Sequence, residues 1–221
     1  MQSAGTYCSH CLRAVSSSPA ITAEDDPLSS VYCSKTCELN AYVQYFRLLF
    51  SSDSPLPGEL SDAESAEAGP ETRAARAAAQ AKFAAFLKTD ARERAVPHLL
   101  ARFIARQVAV ETTKLMPKAA DGPTAGAMIA GLPEIDGPKS VEYSLWDHVE
   151  RLRYLETSVT DEEQEMMVEL LHTSLPGLES FLSEERHATL RGKLQYNAIG
   201  VCYPPSAEES MNDVGYHIFS W

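Results

Sequence analysis

The sequence predicts a mainly α-helical protein that opens with a small zinc-stapled module and closes on the beginning of a strand. Three observations predict this. Four of the five cysteines fall within the first 37 residues, helical apolar periodicity dominates from residue 73 onward, and only Gln195 to Tyr203 reads as a strand outside the cysteine-bearing segment. A chain of 221 residues can form one good-sized domain, or a metal-stapled module joined to a larger helical one. The expected division is 1–50 for the module, 51–72 for a linker and 73–221 for the helical region.

The first segment, Tyr7 to Phe50, is too small to fold on an apolar core alone. It ends in CELNAYVQYFRLLF, whose apolar residues recur three to four apart as on an amphipathic helix. Ser51 to Thr72 is rich in Ser, Pro and acidic residues and nearly free of large apolar ones, so it is expected to be a disordered linker or surface insertion. From Arg73, RAARAAAQAKFAAFLK is Ala-rich and helical, and Asp90 is placed to cap a second helix with Leu99, Phe103, Ala105 and Val110 on one stripe. Pro97 either kinks that helix or marks its first turn. Pro117 to Pro138, with its repeated Gly and Pro, reads as a loop. Ser144 then precedes LWDHVERLRYLE, where Leu145, Val149, Leu152 and Leu155 or Tyr154 give a helical face. Thr160 with Glu163 forms a capping box that opens a helix through Met166, Met167, Leu170 and Leu171, and Ser183 opens another with Glu184 and Glu185 in its first turn. No internal repeat argues for a solenoid.

The chemistry concentrates in the cysteines. Cys8 and Cys11 form a CxxC pair, and Cys33 and Cys37 form CSKTC; both spacings let two thiolates from one turn point at one ion. Four thiolates make a closed tetrahedral site with no position for water or substrate, so the expectation is one structural Zn2+ and not a catalytic Lewis acid. Four buried, unligated thiols are the plain alternative, and an iron–sulfur centre is a minor one.

Composition narrows the partners. With 19 Lys and Arg against 31 Asp and Glu, a net charge near −12 repels a phosphate backbone, so direct nucleic-acid binding is disfavoured. No stretch approaches the roughly 20 apolar residues of a membrane-spanning helix. Met1 to Tyr7 lacks the pattern of a secretory signal, which leads to the expectation of a reducing, intracellular setting, cytoplasmic or nuclear.

CSHC followed by VYCSKTCELNAY resembles the MYND finger, a module that takes proline-rich protein segments. Fingers of that family hold two zincs, the outer CxxC and the CxxxC serving one of them. The second ligand set is missing here: no cysteine lies between Cys11 and Cys33, and Tyr45 or Phe46 and Leu49 or Phe50 stand where His and Cys would fall. The resemblance therefore implies one zinc. Downstream, WDHVERLRYLE and LPGLESFLSEERHATLRGKLQYNAIGV are similar to fungal SET proteins with a MYND insert, a family of protein-lysine methyltransferases. By that resemblance Asn197, with Ala198 and Ile199, starts a SET strand beside the S-adenosylmethionine pocket. The family's Gly-x-Gly segment, Asn-His-Ser-Cys motif and C-terminal catalytic Tyr are not found, so the chain is expected to lack a complete active site. Methyl transfer needs cofactor and lysine held in line in a narrow channel, which half a pocket cannot do. The alternative is a non-enzymatic, zinc-dependent adaptor for a protein or peptide partner.

The remaining candidates are read as structural. His98, His148, His172, His187 and His217 are scattered and receive no role. Cys202 beside a Pro pair reads as a small core residue. The carboxylate pairs Glu162 with Glu163, Glu184 with Glu185 and Glu208 with Glu209 read as exposed, and Arg73, Arg76, Arg92, Arg94, Arg102 and Arg106 as a solvated helix surface.

Overall fold

A computed structural model describes residues 7–15, 20–22, 26–51, 56, 69–89, 95–115, 145–197, 199–202 and 216–219. Among these the protein is mainly helical. A two-residue strand β1 (Ile21–Thr22) pairs antiparallel with β2 (Val31–Tyr32), and β2 leads into α1 (Lys35–Ala41). The helix continues through a π-helical segment (Tyr42–Phe46) into a last turn, α2 (Arg47–Leu49). The long helices α3 (Pro70–Thr89) and α4 (Ala95–Leu115) follow, then α5 (Leu145–Arg151), α6 (Asp161–Ser174), a 3-10 turn (Leu178–Phe181) and α7 (Glu184–Asn197). A second antiparallel pair, β3 (Ile199–Cys202) with β4 (Tyr216–Phe219), sets Ile199 opposite Phe219. None of the described helices is long and apolar enough to cross a membrane.

Local sequence explains most helix starts. Ser34 caps α1 by accepting the Cys37 N–H at 3.2 Å, and Thr160 caps α6 by accepting the Glu163 N–H at 3.2 Å. Pro70 and Pro97 both lie in first turns, where a missing N–H costs nothing. The linker, Asp90 and the Pro117–Pro138 loop lie wholly or largely outside the described residues.

One apolar core joins the cysteine-bearing module to the helical body. Tyr32, Tyr45, Leu48, Leu49 and Phe50 share it with Phe83, Leu100, Ile104, Met167, Leu170 and Leu171. The π segment packs on α4, α3 packs on α6, and α7 packs on α4. Phe50 stacks on Phe83, carrying the end of the module onto α3. Arg76, 5% exposed, donates to the carbonyls of Thr173 and Ser174 at the C-terminus of α6, so this arginine is not the solvated side chain the sequence suggests.

Three expectations need correction. The α4 core stripe is Val96, Leu100, Ala101, Phe103, Ile104 and Ala105, with Leu99 and Val110 only half-buried. Helix α5 stops at Arg151, leaving Tyr154 and Leu155 exposed, because residues 152–158 run extended across α7. That strap is tied by Asn197 Nδ2 to Arg153 O at 2.7 Å and Arg191 Nη1 to Ser158 O at 3.3 Å, while Lys193 Nζ holds Glu150 O at the end of α5 at 2.9 Å. Gly192 lets the strap approach: a Cβ there would run into Leu155 O. Lastly, Gln195 to Asn197 still belong to α7, and β4 is a second strand that the sequence reading does not find.

Candidate metal centre

The four cysteines meet. Their sulfurs all lie within 4.8 Å of one another, with Cys11 and Cys33 Sγ atoms 3.5 Å apart and Cys33 and Cys37 Sγ atoms 3.6 Å apart. A tetrahedron with metal–sulfur bonds of about 2.3 Å has edges of about 3.8 Å, so the cluster has the size of a single zinc site. The separations are far beyond a covalent S–S bond of about 2.05 Å, and all four cysteines are free thiols. The donor set and its spacing fit one metal ion.

Each pair is positioned by its own backbone device. At the first, Cys8 N–H donates to Arg13 O at 2.8 Å and Leu12 N–H to Cys8 O at 2.9 Å, while Tyr7 bridges Ala14. Leu12 takes φ 62°, the left-handed region that costs a non-glycine residue about 1–2 kcal/mol. The turn aims backbone N–H groups at sulfur. Burial raises the Cys8 thiol, but the N–H groups of Cys11, Cys33 and His10 outweigh it and bring Cys8 down to about 7. At the second pair, Cys33 follows β2 and Cys37 sits in the first turn of α1. Burial drives Cys37 up to about 12, against the Ser34 hydroxyl, with the neighbouring thiols adding to the rise.

Ser9 joins the two halves. It is 4% exposed; its N–H donates to Val31 O at 2.7 Å and its Oγ accepts the Val31 N–H at 3.0 Å. Asp26 shapes the approach to β2 by accepting the N–H groups of Leu28 and Ser30 at 2.8 and 2.9 Å. Neither residue carries a sequence signal that separates it from an ordinary loop Ser or Asp.

The large apolar residues at the end of the cysteine-bearing module are packed as core. Tyr45, Leu49 and Phe50 are buried, and Phe46 stacks on Tyr42 and tilts against Phe50. The Arg102 guanidinium lies 3.9 Å from the centroid of the Tyr45 ring, a cation–π contact that also removes Arg102 from the expected solvated surface.

Asn197 is the final residue of α7, and its Nδ2 donates to Arg153 O and Lys193 O, both at 2.7 Å. The side chains of Cys202 and His217 lie outside the described residues.

A second polar cluster contradicts the reading of Glu163 as exposed and includes His187, to which the sequence assigns no role. Glu163 is 2% exposed and His187 fully buried, with Glu163 Oε1 and His187 Nε2 3.2 Å apart but off a hydrogen-bond line. Arg191 Nη1 lies 3.5 Å from Glu163 Oε2. His187 Nδ1 meets Gln164 Oε1 at 2.6 Å, and Gln164 Nε2 donates to Leu182 O at 2.9 Å. Here Glu163 turns inward to α7 instead of back to Thr160, because the packing of α6 on α7 encloses its side chain.

No family model, no curated protein and no solved structure matches the chain.

Proposed function

We propose that this chain is a zinc-binding protein of the SET and MYND kind, with one structural Zn2+ held by Cys8, Cys11, Cys33 and Cys37, and that it works as a protein-interaction adaptor. The observation that carries the reading is the closed four-thiol cluster fused to the helical core. With all four positions filled by sulfur, the metal would supply folding free energy and leave no open site for chemistry.

The surface beside the cluster supports a binding role. Leu39 and Val43, four residues apart on the helix that Cys37 opens, are 51% and 40% exposed. Val43 borders a hollow of about 80 Å3 between the π segment and α4, lined by Tyr45, Leu48, Ala105 and Val108 together with the polar Gln44, Arg47 and Thr112. An apolar strip of this kind suits a short proline-rich peptide, the ligand class that the MYND resemblance implies. The methyltransferase reading is the weaker one: it rests on resemblance, and the Asn197 amide is engaged by two carbonyls.

The deciding experiment pairs elemental analysis with calorimetric titration of S-adenosylmethionine on one sample of the full chain, followed by proline-rich peptides. The expected result is one zinc, no heat from the cofactor, and peptide binding that Val43→Asp abolishes without loss of zinc. Absence of zinc, or saturable cofactor binding, overturns the reading. Ser at Cys33 or Cys37 is expected to release the metal.

A further inference from the structure

The face of α4 that meets the Cys8–Cys11 turn carries two guanidiniums that pair with no carboxylate among the described residues, although the buried Asp26 acts on the same Tyr45 ring that Arg102 covers. Arg102 and Arg106, four residues apart, share one side of α4 with His98, which is neutral because burial and the Arg102 charge push its imidazole down to about 3. Arg102, besides covering Tyr45, donates through Nη2 to Ser9 O at 3.4 Å, inside the turn itself. Arg106 stands one turn further on, half-buried, with neither a hydrogen bond nor an ion pair among the described residues. Burial holds its guanidinium below the usual value, and the charge of Arg102 acts in the same direction. His10, between Cys8 and Cys11, feels both arginines, and its Nδ1 is buried without a partner.

Gathering like charges in a half-buried seam destabilises a fold unless an anion stands close by. Carboxylates were not scarce in a chain with 31 Asp and Glu, yet none pairs with Arg102 or Arg106 among the described residues. The cysteine cluster can supply the anion. Four thiolates around one Zn2+ sum to −4 + 2 = −2, a dianion seated directly under the turn that Arg102 touches.

We propose that Arg102 and Arg106 are the counter-charge of the zinc–tetrathiolate centre, so that metal loading holds α4 against the cysteine-bearing module. The proposal rests on the structural-zinc reading above. It makes the two arginines positioning residues outside the ligand set and couples the metal to the helical body through charge as well as through packing. Without metal, protonated thiols present no dianion, and the two guanidiniums repel each other across an unanswered seam.

The test is zinc affinity of the full chain by competition with a chromophoric chelator, at low and high salt. The variants are Arg106→Gln, Arg106→Lys and, as a remote surface control, Lys82→Gln. Arg106→Gln is expected to weaken zinc binding about tenfold, Arg106→Lys to restore most of the loss, and Lys82→Gln to match the unchanged protein. The gap between Arg106→Gln and the unchanged protein is expected to narrow at high salt. Equal affinity in Arg106→Gln and the unchanged protein overturns the counter-charge role while leaving the zinc reading in place; an unchanged protein that holds no zinc overturns both. Should Arg106→Gln fail to fold, amide exchange of the unchanged protein decides: zinc removal is expected to lower protection along α4, and α4 protection indifferent to zinc sinks the proposal.

Discussion

Replacing Glu163 with Gln tests whether the buried cluster between α6 and α7 contributes to stability. The substitution keeps the volume of a side chain that is only 2% exposed and removes its charge. It leaves His187 Nε2 and Arg191 Nη1, now 3.2 and 3.5 Å from carboxylate oxygens, without an anion. Breaking a buried charged constellation at one partner costs about 3–5 kcal/mol; Arg191 is partly open to water, so the lower end, about 3 kcal/mol, is expected. In a chain of this length each kcal/mol moves the melting midpoint by about 2–4 °C, so a fall of roughly 6–12 °C follows. Urea unfolding of the zinc-loaded protein should show a lower midpoint at unchanged slope, which separates lost stability from a change in the compactness of either state. The N-cap is a built-in control, since the backbone N–H of residue 163 still reaches Thr160 Oγ. The double variant Glu163→Met with His187→Leu is expected to cost less than the sum of its parts, because it removes the stranded imidazole as well as the carboxylate. A Glu163→Gln protein within about 1 kcal/mol of the original would refute this account of the cluster.

Three further outcomes are expected. Gly192→Ala should destabilise by about 1–3 kcal/mol despite the better helix propensity of Ala, because the new Cβ meets the Leu155 carbonyl and lifts the strap; faster amide exchange across residues 152–158 would report it, and a neutral or stabilising effect would count against the strap. Ser9→Ala should cost about 1–3 kcal/mol in the zinc-loaded protein, since it leaves the buried Val31 N–H unpaired, and proton-exchange protection at Val31 should fall with it. Zinc affinity should climb with pH through neutrality. Burial holds the Cys11 and Cys37 thiols above the usual thiol value, so both bind protons at pH 7 that the metal must displace, and calorimetry in buffers of different ionisation enthalpy should count proton release; a pH-independent affinity would contradict it.

The elements legible in the sequence are those written in local chemistry. Thr160 and Ser183 announce α6 and α7 by capping, and Met166, Met167, Leu170 and Leu171 are all buried as their spacing predicts. The misreadings share a cause. LWDHVERLRYLE has helical periodicity throughout, yet α5 ends at Arg151 because two donors from α7, Asn197 and Arg191, and the bare surface of Gly192 hold the following residues extended, a stabilisation no local window contains. Likewise β4 was missed because its partner β3 is fourteen residues away and the pairing exists only once the chain returns.

By itself, the sequence determined the four cysteines as a candidate ligand set, since short CxxC and CxxxC spacings constrain two sulfurs each to one turn, and it determined the helical class through apolar period. Tertiary structure decided the rest. It brought the two pairs to within 4.8 Å through the two hydrogen bonds between Ser9 and Val31, turned Glu163 inward onto His187, and laid Arg102 on Tyr45. Those contacts link residues 22, 24 and 57 positions apart, and which face of a helix meets which neighbour is set by global packing and not by any stretch of sequence a single helix spans.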